Sequence, residues 1–263
     1  MLQSVPFSAH ENRIFDWQNW LLLIFLAVAQ SPGVAGTYYV SKHGKDSNPG
    51  TAAKPFRTIT HAYGFAGPGV TILVSPGAYT DYSSGWGIRL GASGTASSPI
   101  VLRSRVPGGA VIDGHNVSER NVGFYIDGNY NVVDGFIVRN CPKGGFALFP
   151  PGGNCNQILN CNIHNNGNPS NRDTDGRDGI FSSAGTSGNG YAANYIHHNG
   201  RSGMNLDHGL YLCGKDEMVI NNVLFANAAN GLQVAGYTTV NNMKVCNNVF
   251  AYNGANGIIL WRR

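Results

Sequence analysis

Three carboxylates, Asp173, Asp175 and Asp178, fall at i, i+2 and i+5 around a glycine in the stretch NGNPSNRDTDGRD (166–178), which also holds Arg172 and Arg177. Carboxylate oxygens at this spacing suit a hard cation such as Ca2+, although the run is too short for an EF-hand loop. The alternative is a solvated, salt-bridged loop. A second stretch, GRSGMNLDH (200–208), brings Arg201, Asp207 and His208. A histidine beside a carboxylate titrates near neutral pH and could accept a proton. It could equally be a corner histidine bonded to asparagines. Asp178 and Asp207 could also form the proton-donating and ionised carboxylates of an inverting glycosidase. Only 12% of the chain is charged, so this grouping stands out.

A repeat must position these residues. One element reads GFIVRN (135–140), CNIHNN (161–166), NYIHHN (194–199), NVLFAN (222–227) and NNVFAY (247–252). A second follows each of them in turn: GFALF (145–149), GIFSS (179–183), GLYLC (209–213), GLQVA (231–235) and GIILW (257–261). Each is too short and too rich in β-formers for a helix, and none can bury its apolar face alone. Stacked units predict an all-β solenoid of parallel strands, a single-stranded parallel β-helix, over residues 37–263. Residues 56–66 carry Phe56, Ile59, Tyr63 and Ala66 at helical spacing and predict a short helix capping its N-terminal end. At the other end a polar cap is missing after GIILW, which suggests a shortened chain or a partner subunit.

Stacking places residues distant in sequence on shared ladders. Asp178, His208, Asn230 and Asn256 each precede the glycine of the second element and form one ladder, with Asp178 and His208 adjacent. His164 and His197 share a column, as do Asn165 and His198; strand alternation would turn one of His197 and His198 inward and the other out. Lys215, Asp216 and Glu217 read as a solvated turn, as does Lys143 before its Gly-Gly bend. Trp86, Tyr79 and Tyr82 could stack on sugar rings or belong to the core.

The composition agrees. The chain has 36 Gly and 30 Asn in 263 residues, with 26 of the Asn after residue 120, a load suited to repeated tight turns. A hydrophobic content of 42% excludes a disordered chain. The net charge of +4 suits polyanionic glycans, and without a Lys/Arg cluster it is no nucleic-acid signature. Residues 1–36 read as a signal peptide and leader: the apolar run WLLLIFLAVA (20–29) is too short to span a bilayer and ends in a small-x-small pattern. That places the protein outside the cytoplasm, secreted or periplasmic. Five Cys without a CxxC spacing predict buried thiols or one local bridge rather than zinc.

The opening YYVSKHGKDSNPGTAAKPFRTITHA, the following PGVTILVSPGAYTD, and the later NxIHHNG and HGLYL patterns resemble the pectate lyase-like right-handed parallel β-helix superfamily. The resemblance implies a secreted enzyme that cleaves a uronate-containing polysaccharide by metal-assisted β-elimination. Ca2+ on an Asp cluster would neutralise the uronate carboxylate while a Lys or Arg abstracts the C5 proton. Asp173, Asp175 and Asp178 match the cation cluster; Arg177, Arg201 and His208, with Asp207, are the catalytic candidates, because no coil-borne Lys is evident beside the Asp cluster. Arg172, His197, His198, Tyr211 and Lys215 are the candidate substrate contacts. The alternatives are a glycoside hydrolase on the same fold and a non-catalytic glycan-binding solenoid. The implied partner is an acidic polysaccharide, for a monomer or a side-by-side or end-to-end oligomer, without nucleic acid or a membrane span.

Overall fold

The computed structural model describes residues 36–80, 86–115, 121–167, 175–236 and 242–262. The leader up to residue 35 lies outside them, as do Tyr82, Arg172 and Asp173. In chain order the elements are β1 (Thr37–Val40), α1 (Ile59–Tyr63), β2 (Thr71–Val74), β3 (Gly77–Tyr79) and β4 (Ile88–Leu90). Next come β5 (Ile100–Ser104), β6 (Ala110–Asp113), β7 (Val122–Ile126), β8 (Asn131–Asp134), β9 (Ile137–Arg139) and β10 (Gly144–Leu148). Then follow β11 (Gln157–Leu159), β12 (Asn162–His164), β13 (Ile180–Ser182), β14 (Gly190–Ala192), β15 (Tyr195–His197) and β16 (Leu210–Leu212). The last are β17 (Met218–Ile220), β18 (Val223–Phe225), β19 (Leu232–Gly236), β20 (Lys244–Cys246), β21 (Val249–Ala251) and β22 (Ile258–Arg262).

Each coil contributes one strand to each of three parallel sheets. The first sheet runs β1-β2-β5-β8-β11-β14-β17-β20, the second β3-β6-β9-β12-β15-β18-β21, and the third β4-β7-β10-β13-β16-β19-β22. The expected parallel β-helix is therefore the fold. Strand register aligns Phe136, not Gly135, with Cys161, and Asn248 with Asn222, a one-residue correction to the first and last copies of the first element. The helix α1 is capped by the Thr58 side chain, which accepts the His61 N–H, and packs on β1, β2 and β4. No described helix is long and apolar enough to cross a membrane.

Alternation along such short strands sends one or two side chains per strand inward, and stacking turns them into columns. Leu102, Val133, Ile158 and Val219 form one, Ile112, Val138, Ile163, Ile196 and Leu224 another, and Phe124, Phe146, Ile180, Leu210 and Leu232 a third, all buried. All five cysteines are free thiols; Cys141, Cys161 and Cys213 are buried.

The asparagines hold the turns in two ways. Asn140, Asn165, Asn160, Asn221, Asn242 and Asn247 have φ between 52° and 56°, left-handed values that asparagine tolerates better than most residues. Others point inward and bind coil to coil. Asn199 accepts the Asn166 backbone N–H (3.2 Å) and its amide (2.9 Å), and donates to Ile163 O (2.9 Å) and to Asn227 Oδ1 (3.0 Å). Both lone pairs and both amide protons are thus used, which a serine or an aspartate could not do.

One ladder breaks this rule. Asn131, Asn156 and Asn189 are followed on the next coil by Glu217. Glu217 was expected in a solvated turn, yet it is fully buried. Its Oε1 accepts from Ser182 Oγ (2.5 Å) and Asn189 Nδ2 (3.0 Å), with Thr186 and Tyr191 hydroxyls at 3.4 Å, while Oε2 is buried without a partner. Burial pushes its carboxyl up to about 7, against which these donors pull. Lys215 and Asp216 of the same turn are exposed.

Candidate active site

The second-to-third-sheet turns of three successive coils converge at the entry to β10, β13 and β16. The Asp178 carbonyl accepts the Gly145 N–H, the His208 carbonyl that of Gly179, the Asn230 carbonyl that of Gly209 and the Asn256 carbonyl that of Gly231. Side chains run the same way. Asp178 Oδ1 accepts the His208 N–H at 2.7 Å, His208 Nδ1 accepts the Asn230 N–H at 3.2 Å, and Asn230 Oδ1 accepts the Asn256 N–H at 3.1 Å. The ladder read from sequence is a chain of hydrogen bonds.

The bond from Asn230 makes Nδ1 an acceptor, so the proton of the neutral His208 ring sits on Nε2, which is buried without a partner. Burial lowers the ring to about 4, against the opposing pull of Asp207, so His208 is neutral near pH 7. Burial likewise pushes the Asp178 carboxyl well above the carboxylate range, reinforced by Asp207 and opposed by the His208 N–H and by Lys143 and Arg201.

Behind this ladder lies a buried ion pair. Arg201 grips Asp207 in two places, Nε to Oδ2 at 2.7 Å and Nη2 to Oδ1 at 2.9 Å, with both residues at most 1% exposed. Asp207 also accepts the backbone N–H groups of Arg201 (2.7 Å) and Arg177 (3.1 Å). Arg201 Nη2 donates to Asp175 O and Arg177 Nη1 to Pro142 O. The two insertions are therefore stapled to each other and to the preceding coil. Arg177, Arg201, Asp207 and His208 are all buried, and none is among the described residues lining the adjacent cleft.

That cleft, of about 290 Å3, lies on the outer face of the third sheet. Lys143, Asp175 and Asp178 form one wall, and Tyr125, Phe149, Phe181 and Tyr211 the floor. Lys143, expected to be solvated, donates to Asp175 Oδ2 at 2.6 Å, with its own side chain 24% exposed. It is the coil-borne lysine beside the aspartates that the sequence reading missed. The register that sets Gly145 on Gly179 places Lys143 opposite Arg177, and only its ion pair with Asp175 distinguishes it from a solvated turn lysine. The outward aromatics were legible as apolar residues at alternate positions where a one-sided sheet shows polar ones.

The remaining candidates separate. Tyr211 is in the cleft. His197 and His198 lie on the second sheet and its turn, where neither points inward: His197 is half-buried, and His198 is an exposed turn residue with φ 53°. His164 and His197 stack at 4.9 Å, as their shared column predicted. Lys215 sits in the third-to-first-sheet turn, with its backbone bonded to Thr186 and Gly188. Tyr79 is a core residue, whereas Trp86 is 52% exposed beside Tyr125.

Among the described residues no three His, Cys, Asp or Glu side chains converge as a metal cluster. The donors that are present suit Ca2+ in kind. Gly176 follows Asp175, and a Cβ there would meet Leu206 O at 2.6 Å and Asp178 Oδ2 at 3.4 Å. A carbonyl and two carboxylates are hard oxygen ligands.

Comparison with known proteins supplies the context. Residues 38–200 match a family model described as the Pel9A-like, right-handed β-helix region. Pectate lyase L of Dickeya chrysanthemi is 32% identical over 139 residues, covering 50% of this chain and 32% of that protein. Pectate lyase PEL9 of Emericella nidulans is 37% identical over 95 residues, 36% of this chain and 22% of that protein. The chain thus spans about a third or less of the length of the curated relatives it matches. Among solved structures, pectate lyase Pel9A superposes with a TM-score of 0.51 at 19% identity, covering 76% of this chain and 68% of that one. The GH136 lacto-N-biosidase from Eubacterium ramulus gives a TM-score of 0.56 at 14% identity, covering 76% and 43%. At these identities the structural likeness is one of fold.

Proposed function

The chain belongs to the Pel9A-like right-handed β-helix family, and from that premise we propose that it is an extracytoplasmic carbohydrate-active enzyme, a lyase that cleaves a uronate-containing polysaccharide by β-elimination. One observation carries this reading: Lys143 opens onto the cleft beside Asp175 and Asp178, and it is the one Lys or Arg among the cleft's described lining residues.

A proton alpha to a carboxylate leaves only if the charge developing there is stabilised. In this assignment Lys143 Nζ takes the C5 proton as a C4–C5 double bond forms and the C4–O4 bond breaks. The departing O4 takes its proton from solvent, and Asp178 stands in the same cleft as Lys143. Arg201 and Asp207 are positioning residues that fix the loops bearing Asp175 and Asp178, and His208 holds Asp178 through its backbone N–H. Ca2+ held by Asp173, Asp175 and Asp178 would supply neutralisation of the uronate carboxylate.

The test incubates purified protein with uronate and neutral polysaccharides, with and without EDTA, and follows ultraviolet absorbance of the unsaturated product together with reducing ends. We expect absorbance to rise with a uronate polymer, and Lys143→Ala to lose roughly 100- to 10,000-fold in turnover with its melting temperature unchanged. Reducing ends without absorbance would make the protein a hydrolase, and retention on glycan without turnover a binding solenoid. Insensitivity to EDTA would remove the metal alone.

A further inference from the structure

We propose that His197 and His198 chelate a divalent transition-metal ion of tetragonal preference, such as Cu2+, on the outer face of the second sheet. The site is separate from the cleft on the third sheet and does not depend on the lyase reading. Its core is the meeting of the two imidazoles through their Nδ1 atoms, 2.8 Å apart.

Adjacent residues of a strand face opposite sides, so consecutive histidines do not ordinarily chelate. Here β15 ends at His197, and His198 takes a left-handed backbone with φ 53°. The alternation stops there, and both rings stand outside the solenoid. At the same turn position the neighbouring coils carry Asn140, Asn165, Ala226 and Tyr252, so the second imidazole belongs to this coil. Packing holds both rings in place. His197 stacks on His164 at 4.9 Å and lies against Tyr195 at 4.1 Å, while His198 meets Phe225 at 5.7 Å.

The protons leave a lone pair at the meeting point. His197 Nε2 lies 2.9 Å from Asn162 Oδ1, an acceptor, so Nε2 carries the ring proton and Nδ1 the lone pair. Without metal, His198 Nδ1 is then the donor of the 2.8 Å contact. Moving that proton to His198 Nε2 gives the other neutral tautomer and two converging lone pairs, with no change of charge. The Asn162 contact is of the kind that fixes the tautomer and ring orientation of ligating histidines.

The distance selects the metal. With metal–nitrogen bonds of about 2.05 Å, nitrogens 2.8 Å apart subtend about 86°. That is the angle between adjacent ligands of a square or tetragonal ion, whereas tetrahedral Zn2+ would hold them about 3.3 Å apart. His164 turns its Nδ1 to Asn165 Oδ1 at 2.7 Å and is no third ligand. The site is thus a two-nitrogen chelate, with water in the remaining positions.

The experiment titrates the purified full chain with Cu2+ by calorimetry, and reads coordinated nitrogens by electron paramagnetic resonance at one equivalent of copper. Wild type should show two imidazole nitrogens on the ion. Binding should weaken at least about tenfold in His198→Asn, which loses a ligand, and roughly tenfold in Asn162→Ala, which loses the orienting contact. Asparagine suits the left-handed turn, as Asn165 shows on the preceding coil, so His198→Asn keeps the fold. His115→Ala, at an exposed histidine elsewhere, should bind copper within about twofold of wild type. Affinity within about twofold of wild type in His198→Asn or Asn162→Ala would overturn the proposal. So would an equal loss in His115→Ala, or a spectrum with fewer than two imidazole nitrogens, which would leave the contact a hydrogen bond only.

Discussion

Replacing Glu217 with glutamine isolates the electrostatics of the solenoid interior. The carboxyl lies in a column where three asparagines precede it, and burial raises it from 4.5 to about 7. A group whose folded value lies above its unfolded value contributes stability that is complete below the unfolded value and is lost as pH rises through the folded one. Wild type should therefore lose roughly 3 kcal/mol from this site between about pH 4 and pH 8, at about 1.4 kcal/mol for each tenfold in proton affinity. For a domain of this size that corresponds to a fall of about 6–12 °C in melting temperature. The glutamine amide places a donor where Oε2 has no partner, at a cost of roughly 1–3 kcal/mol that is the same at every pH. The informative quantity is thus the change with pH. Melting temperatures of both proteins across this range should converge or cross as pH rises, with E217Q losing less. Parallel curves would refute the reasoning, because every other titrating group is common to both.

Two further perturbations address the scaffold. Asn199→Ala removes an amide whose four partners lie on the two flanking coils, and should cost roughly 2–4 kcal/mol, read as a lowered melting temperature, with hydrogen exchange rising at Asn166, whose backbone N–H loses its acceptor. Arg201→Ala leaves Asp207 charged and buried, and should destabilise by roughly 3–5 kcal/mol; adding Asp207→Asn, which removes the charge and keeps an acceptor for the buried backbone N–H groups, should recover part of the loss. Limited proteolysis within residues 200–208 reports the loop directly, and unchanged cleavage in Arg201→Ala would contradict the stapling role.

The fold was legible because a solenoid writes its geometry into sequence as recurrence. Gly179, Gly209, Gly231 and Gly257 each stand just before the same short strand, and their preceding residues form the expected ladder. The active-site region was only partly legible, for two physical reasons. Charge pairing is invisible without distances: Arg177 and Arg201 have the types of catalytic groups, but the interior charge of Asp207 draws Arg201 away from the cleft. Burial is equally hidden at turns. Within three residues the KDE turn passes from exposed Lys215 and Asp216 to fully buried Glu217, because Glu217 takes an asparagine's inward place. Lys143, read as solvated before its Gly-Gly bend, is likewise defined by an ion pair with Asp175 that lies 32 residues away in sequence.

The three corners of each coil differ in a way that bears on divergence. From β8 onward, first-sheet strands pass to second-sheet strands through two residues each time, as at Asn160-Cys161, Ala193-Asn194 and Asn221-Asn222. The passage from second to third sheet varies from four residues between β9 and β10 to 15 between β12 and β13. Length can therefore change at one edge without disturbing the pairing of the three sheets. Such a molecule works as a rack with fixed rails and exchangeable cassettes: transplanting residues 165–179 between relatives should exchange the cleft's Asp175 and Asp178 while leaving the rails intact.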